Sequence, residues 1–407
     1  MPGYRERDAC DQAALRRERW ALGLALMALD LRKGTAREVA PGWDRSADGI
    51  VLSANGKAIY TTAYDVGTHP LFKVDIASGE ATKVVTGGTV GGFDLRGDTL
   101  AYTHENLTSP AQAFVARADG SAARQVTRNN EERLAGLAFG DYEQFSFKGW
   151  NDETVYGYVV KPANYEEGKQ YPVAFLIHGG PQGSFGNNFH YRWNPQTYAG
   201  AGFAVVMIDF HGSTGYGQAF TDSISQDWGG KPLEDLQKGW AAAQQKYSFL
   251  DGDRACALGG SYGGYMVAWI AGNWPDAFDC LVNHAGVVDT RIMGFNTEEL
   301  WFTEWENGGT PVQVPENYEK FNPINHVSKW KSPMLVIHGQ KDYRVLVEQG
   351  LAAFSAAQRN GVESQLLYFP DENHWILKPH NSVLWHDTVN AWLKRWTAED
   401  AAEPAKD

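Results

Sequence analysis

Short apolar runs bounded by turn residues dominate the second half of the chain. Val173–Ile177, Phe203–Asp209, Ala255–Leu258, Met334–Gly339 and Gln365–Phe369 each have the length and composition of a buried strand. Helical patterns separate them at Leu233–Gln245, Tyr262–Gly272 and Leu351–Arg359. A last one, Val383–Trp396, carries Leu384, Val389, Trp392, Leu393 and Trp396 near helical spacing. Strands alternating with helices predict a mostly parallel sheet covered on both faces, an α/β fold. Ahead of it, Phe145–Lys148 and Val155–Val160 alternate as an antiparallel hairpin leading into that sheet.

The first 130 or so residues follow another rule, a repeat with a period of about forty residues. Ala54–Tyr60 is echoed by Leu95–Tyr102, and Leu71–Gly79 by Ala113–Gly120; Leu29–Gly34 reads as an earlier copy of the latter hairpin. Alternating strands joined by Asn-Gly, Ser-Gly and Asp-Gly turns are hairpins, and four-stranded units at this period are propeller blades. Only two to three blades can be counted, whereas a closed propeller takes at least about four. The expected architecture is an incomplete all-β propeller-like domain followed by an α/β-hydrolase domain. The boundaries read as an irregular segment at 1–19, blades at 20–135, hydrolase at 136–397 and a flexible tail at 398–407. Trp20–Leu29, preceded by Arg16, Arg17 and Arg19, has the outline of a secretory leader. Nearby Glu6, Asp8, Asp11 and Glu18, with no convincing cleavage site, favour a strand for its latter part.

The chemistry concentrates at Gly259-Gly260-Ser261-Tyr262-Gly263-Gly264, between a strand and a helix. A serine flanked by glycines at such a turn is a nucleophile elbow: the turn is tight, and a Cβ beside it would crowd strand and helix. Two more strand ends supply partners. Met334–Ile337 runs through His338-Gly339 to Asp342, and Gln365–Phe369 leads to Asp371, Glu372 and His374. Ser261, Asp342 and His374 thus occur in the α/β-hydrolase order, each just past a strand's C-terminal end. Asp371 competes with Asp342 as the acid but lies very close to His374 in sequence.

Val173–Ile177 opens directly into His178-Gly179-Gly180-Pro181. A glycine-rich turn there lets a backbone N–H approach a developing oxyanion. Gly180 and the N–H of Tyr262 are the expected donors, with Gly179 one residue away as the alternative; His178 is expected to brace its own loop.

Together with Gly212–Gly217, Asp227–Gly230, Thr297–Phe302, Asp342–Val345 and Glu372–Trp375, these motifs make residues 145–397 resemble the prolyl oligopeptidase family of serine peptidases. The similarity is to its acylaminoacyl peptidase and dipeptidyl peptidase 5 branch, to the latter especially through Arg192-Trp193-Asn194-Pro195 and Glu298–Phe302. The resemblance implies release of dipeptides or acylated residues from peptide N-termini, without a metal or organic cofactor. A dipeptidyl enzyme needs an anion for the substrate ammonium group. Glu298 and Glu299, beside Trp301, Phe302 and Trp305, are candidates, the competing reading being solvated glutamates beside core aromatics. A carboxylesterase would use the same triad, and a non-catalytic scaffold is the remaining class. The resemblance implies a complete propeller that screens substrates by size, and the chain departs from that pattern with its two to three blades. Open blade edges also invite self-association.

Composition narrows the partners. The 407 residues carry a net charge of −13 and no Lys/Arg-rich stripe, which disfavours nucleic acid. No apolar run has the length of a membrane span. Cys10, Cys256 and Cys280 have no metal-ligand spacing, and no disulfide framework follows from them. With no clear leader the default expectation is cytoplasmic, although the family also has periplasmic or secreted members.

Overall fold

The computed structural model describes residues 23–399. The readings of 1–19 as irregular and of 400–407 as tail, the Trp20–Leu22 end of the leader-like run, and Cys10 lie outside the described residues.

The larger part is an eight-stranded sheet: β1 (Tyr142–Lys148), β2 (Thr154–Val160), β3 (Tyr171–Ile177), β4 (Ala204–Asp209), β5 (Leu250–Gly260), β6 (Cys280–His284), β7 (Met334–Gly339) and β8 (Ser364–Phe369). Their order across the sheet is β1-β2-β4-β3-β5-β6-β7-β8. β1, β2 and β4 pair antiparallel, and every pair from β4 to β8 is parallel. Its helices include α1 (Pro195–Gly200), α2 (Lys231–Lys246), α3 (Tyr262–Asn273), α4 (Thr290–Asn296), α5 (Leu300–Asn307), α6 (Val347–Arg359) and α7 (Pro379–Trp396).

The two-residue period of a strand divides the core between the two faces. Val173, Phe175 and Ile177 of β3, with Ala255 and Ala257 of β5, pack under Leu236, Trp240, Met266 and Ala353 from α2, α3 and α6. Ala174, Leu176, Cys256 and Leu258 face the opposite layer, built on Tyr198 of α1 and Trp385, Val389 and Trp392 of α7. Both faces are covered at the centre of the sheet, so β3 from Val173 to Ile177 and β4 from Ala204 to Ile208 are apolar without interruption, and each large side chain fully buried there contributes roughly 1.5–3 kcal/mol. Cys256 and Cys280 are directly opposed in the β5/β6 register and joined as a disulfide.

Helix α3 lies so close to the sheet that its first turn admits no side chain at residue 263. A Cβ on Gly263 would sit 2.1 Å from the Ile177 carbonyl oxygen. Backbone cannot yield cheaply, so Gly263→Ala is expected to cost about 1–3 kcal/mol or more and to lower the melting temperature by several degrees. Gly200→Ala, with nothing within 4 Å of the added atom, is the control and should melt with the wild type. Equal melting of both variants would refute this close contact.

Before the large sheet come two four-stranded antiparallel sheets, Asp48–Val85 and Thr89–Gln125, and a hairpin pairing Met27–Asp30 with Thr35–Glu38. The hairpin supplies the strand expected from the end of the leader-like run. Gly56 and Gly97 take positive φ, 68° and 59°, at two of the tight turns. Tyr60 and Leu71 of one sheet and Val90, Leu100 and Tyr102 of the next share one apolar cluster, which makes the sheets neighbouring blades of an incomplete propeller. The blades hold the hydrolase part through the loop at Val66-Gly67. Gly67 O accepts Asn187 N–H at 2.7 Å and Tyr158 OH at 3.2 Å, and Val66 O accepts the Gln144 side chain at 2.9 Å. Asn187 in turn caps Leu107 N at 2.9 Å through its side chain. Among the described residues no helix is long and apolar enough to cross a membrane.

Candidate active site

Ser261 stands between β5 and α3 with φ 60° and ψ −120°, a conformation a non-glycine residue holds only when its surroundings impose it. Those surroundings are glycines: a Cβ on Gly259 would fall 2.4 Å from the Gly263 carbonyl carbon, and one on Gly264 would fall 2.7 Å from the Gly286 Cα. The Ser261 N–H donates to His284 O at 2.9 Å, tying the turn to the end of β6. Ser261 is also the N-cap residue of α3, its side chain making no capping bond, at a point where backbone N–H groups and the helix dipole favour negative charge.

His374, in the loop after β8, has its Nδ1 2.6 Å from Asp342 Oδ2. Asp342 is 1% exposed, and its other oxygen accepts the N–H groups of Arg344 (3.0 Å) and Val345 (2.9 Å). Burial alone would raise the Asp342 carboxyl; hydrogen bonds from His338 and His374 outweigh it and hold the group well below the usual carboxylate range. It is therefore ionised, Nδ1 of His374 carries the proton that faces it, and Nε2 is left as the acceptor. Ser261 and His374 line one cavity of about 370 Å³. Asp371 turns elsewhere, to Lys378 and to Asn381 at 3.1 Å.

The His374 loop has a support that carries no motif in the sequence. Trp385 of α7 donates its indole N–H to His284 Nδ1 at 2.8 Å. That leaves the His284 proton on Nε2, which faces His374 O at 3.3 Å. Burial first, and then His374 beside it, press the His284 pKa down to about 3, so the ring stays neutral. One residue thus braces both the serine turn and the histidine loop. Its neighbour in sequence, Ala285, gave no signal of this.

Gly179, Gly180 and Tyr262 all line the cavity. Gly179 presses on the elbow, where a Cβ would come within 3.3 Å of Ser261 Cβ; Gly180 has φ 125°. The Tyr262 side chain points away and donates to Trp228 O at 2.6 Å, so only its backbone N–H is available to an oxyanion. His178 braces its own loop: Nδ1 donates to Gly179 O at 2.7 Å and Nε2 accepts from Ser213 at 2.8 Å.

The four expected substrate contacts separate. Glu299 and Phe302 line the cavity that holds Ser261 and His374. Trp301 faces an adjoining cavity of about 730 Å³, which shares Phe302 and Gln182 with the first. Glu298 lines neither. Both glutamates approach Arg344, whose Nε is 3.1 Å from Glu299 and whose Nη2 is 3.5 Å from Glu298. Arg344 also lies over the Trp375 ring, 4.8 Å from its centroid. A buried carboxylate, Glu306, lines the larger cavity and accepts from Gln182 (2.8 Å) and Trp228 (2.7 Å).

Residues 189–400 match the prolyl oligopeptidase family. The chain is 38% identical over 379 residues to a dipeptidyl-peptidase 5 of Schizosaccharomyces pombe, covering 92% of this chain and 55% of that protein. It is 36% identical over 383 residues to the dipeptidyl-peptidase 5 of Aspergillus fumigatus, 91% and 53% of the two chains. The chain therefore spans about half the length of the curated relatives it matches. Among solved structures, an acylaminoacyl peptidase in complex with Z-Gly-Gly-Phe-chloromethyl ketone superposes with a TM-score of 0.82 at 25% identity, over 92% of this chain and 59% of that one. Acylaminoacyl peptidase from Pyrococcus horikoshii, at 24% identity, has a TM-score of 0.81 over the same shares.

Proposed function

Because this chain belongs to the prolyl oligopeptidase family, we propose that it is a serine peptidase releasing dipeptides from the N-termini of oligopeptides. The observation that carries the proposal is the 2.6 Å bond between His374 Nδ1 and Asp342, in a cavity shared with a serine on a strained strand-to-helix turn. His374 Nε2 takes the Ser261 proton as Oγ bonds to the scissile carbonyl carbon. The N–H groups of Tyr262 and of Gly180 stabilise the oxyanion; Gly179 serves the elbow by its lack of a side chain. The C–N bond then breaks, His374 returns the proton to the leaving amine, and water activated by the same imidazole releases the acyl group. Throughout, Asp342 holds the tautomer and stabilises the imidazolium.

Dipeptidyl release needs an anion one residue beyond the scissile position. Glu299 is the carboxylate at the cavity wall, and the likeness to dipeptidyl-peptidase 5 over nine-tenths of the chain supports that use. A second reading has its own support. Arg344 already engages Glu298 and Glu299, which favours substrates with no ammonium group, as in acylaminoacyl release.

A dipeptide reporter amide with a free N-terminus, assayed beside its N-acetylated twin, separates the two. On the dipeptidyl reading Glu299→Gln lowers kcat/KM for the free amine by about 10- to 100-fold, the worth of one charge-assisted hydrogen bond. The acetylated twin changes little. Equal losses on both substrates would remove Glu299 from ammonium recognition. Cleavage of a simple ester alone would replace the peptidase reading with an esterase.

A further inference from the structure

The cavity of Ser261 and His374 contains a cation with no counter-charge among the described residues. Arg192, Arg344 and Glu299 are the Arg, Lys, Asp and Glu side chains in its wall. Arg344 is matched by Glu299 inside the wall and by Glu298 outside it. Arg192 is half-buried, and among the described residues no carboxylate comes within ion-pair distance of it. Its guanidinium carbon instead lies 5.6 Å from the centroid of Trp375, the residue after His374, the same ring that Arg344 covers.

The backbone that carries Arg192 is held firmly. His190 Nδ1 accepts the N–H groups of both Arg192 (3.1 Å) and Trp193 (3.0 Å). Trp193 is buried against the nucleophile turn, where a Cβ on Gly260 would come within 3.0 Å of its ring, and its ring meets that of Trp385 at 5.0 Å. Upstream, Asn187 is fastened to the blade loop at Gly67 and to Leu107. A fixed, half-desolvated guanidinium left without an anion is costly to a fold. It is well suited to a ligand that brings the anion, since guanidinium–carboxylate bonds are both strong and directional.

We propose that Arg192 determines specificity by receiving a carboxylate of the bound peptide close to the scissile bond. This rests on reading the cavity as a peptide-binding site. The carboxylate has two sources, the α-carboxylate of a short peptide or an acidic side chain, and Arg192 reads the chemistry they share.

Calorimetric titration of the Ser261→Ala chain, which binds without turnover, tests this with two matched pairs. The first is Ala-Phe-Ala as free acid and as C-terminal amide. The second is Ala-Phe-Asp-amide and Ala-Phe-Asn-amide. In at least one pair the acid is expected to bind about 10- to 100-fold more tightly than its neutral twin. That preference disappears when Arg192→Gln is added and returns in part with Arg192→Lys, which keeps the charge. A response in the first pair alone identifies the α-carboxylate, and in the second alone the side chain. Equal binding within both pairs, including no binding of any peptide, overturns the proposal, as does a preference that survives Arg192→Gln. Wild-type turnover of the neutral peptides reports separately on the peptidase reading. Neutral peptides cut without acid preference defeat the role of Arg192 alone; acids bound through Arg192 but never cut defeat the peptidase reading alone.

Discussion

Ser261→Ala is expected to lower kcat on a dipeptide amide by about 10⁶-fold, the scale on which loss of the nucleophile disables a serine triad. The fold should be unaffected. The bond that holds the turn runs from the residue's backbone N–H to His284 O and survives the change, and alanine at φ 60° is no more strained than serine. Stability is therefore expected within about 0.5 kcal/mol of the wild type, so lost activity cannot be charged to unfolding. His374→Ala should cost nearly as much, and the double variant little more than either, because the groups act as a unit. Additive losses, or substantial turnover in Ser261→Ala, would mean that another nucleophile does the work.

Why these residues were legible, and others were not, follows from the range of the interactions involved. The elbow is local: a short strand, four glycines and a helix lie within sixteen residues, Ala255–Ile270, and each constrains the next. Asp342 and His374 were readable because strand ends on a parallel sheet all open to one edge, so position along the chain maps onto position at the site. Closeness to His374 in sequence sets Asp371 aside; the structure turns it to Lys378 and Asn381 and puts Asp342 2.6 Å from His374 Nδ1. Turn chemistry made the blades visible through Asn55-Gly56 and Ser78-Gly79.

What stayed hidden depends on register or on long-range packing. Cys256 and Cys280 pair because β5 and β6 align those positions on one face, which spacing does not reveal. Glu298 and Glu299 are adjacent in sequence, yet only the second reaches the cavity of Ser261 and His374, a distinction set at the entry to α5. Arg192 and Trp375 meet across more than 180 residues. His284 carries no motif at all: its function depends on a tryptophan donor from α7 and a carbonyl from the loop after β8.

Asp342→Asn is expected to lower kcat by about 10⁴-fold, with KM for the same amide changing far less, because the carboxylate touches the base rather than the substrate. The wild-type carboxylate can only accept, so it keeps the proton of His374 on Nδ1 and leaves Nε2 bare toward the cavity. A carboxamide can present its NH₂ group to Nδ1 instead. The proton then moves to Nε2, and the imidazole offers a donor where Ser261 needs an acceptor. The same substitution has a signature in stability that a lost hydrogen bond between uncharged groups would not give. The Asp342 carboxyl is depressed in the folded chain, burial being outweighed by His338 and His374. Its stabilisation is thus fully present above the ordinary carboxylate range, near pH 4, and is lost as pH falls through the depressed value. Asparagine does not titrate. The melting-temperature gap between wild type and Asp342→Asn should therefore hold level from neutral pH down to about pH 5 and narrow as the pH falls below about 4. A gap that stays constant from pH 7 to pH 3 would assign the loss to packing, and would take the charge of Asp342 out of the argument for how His374 is held.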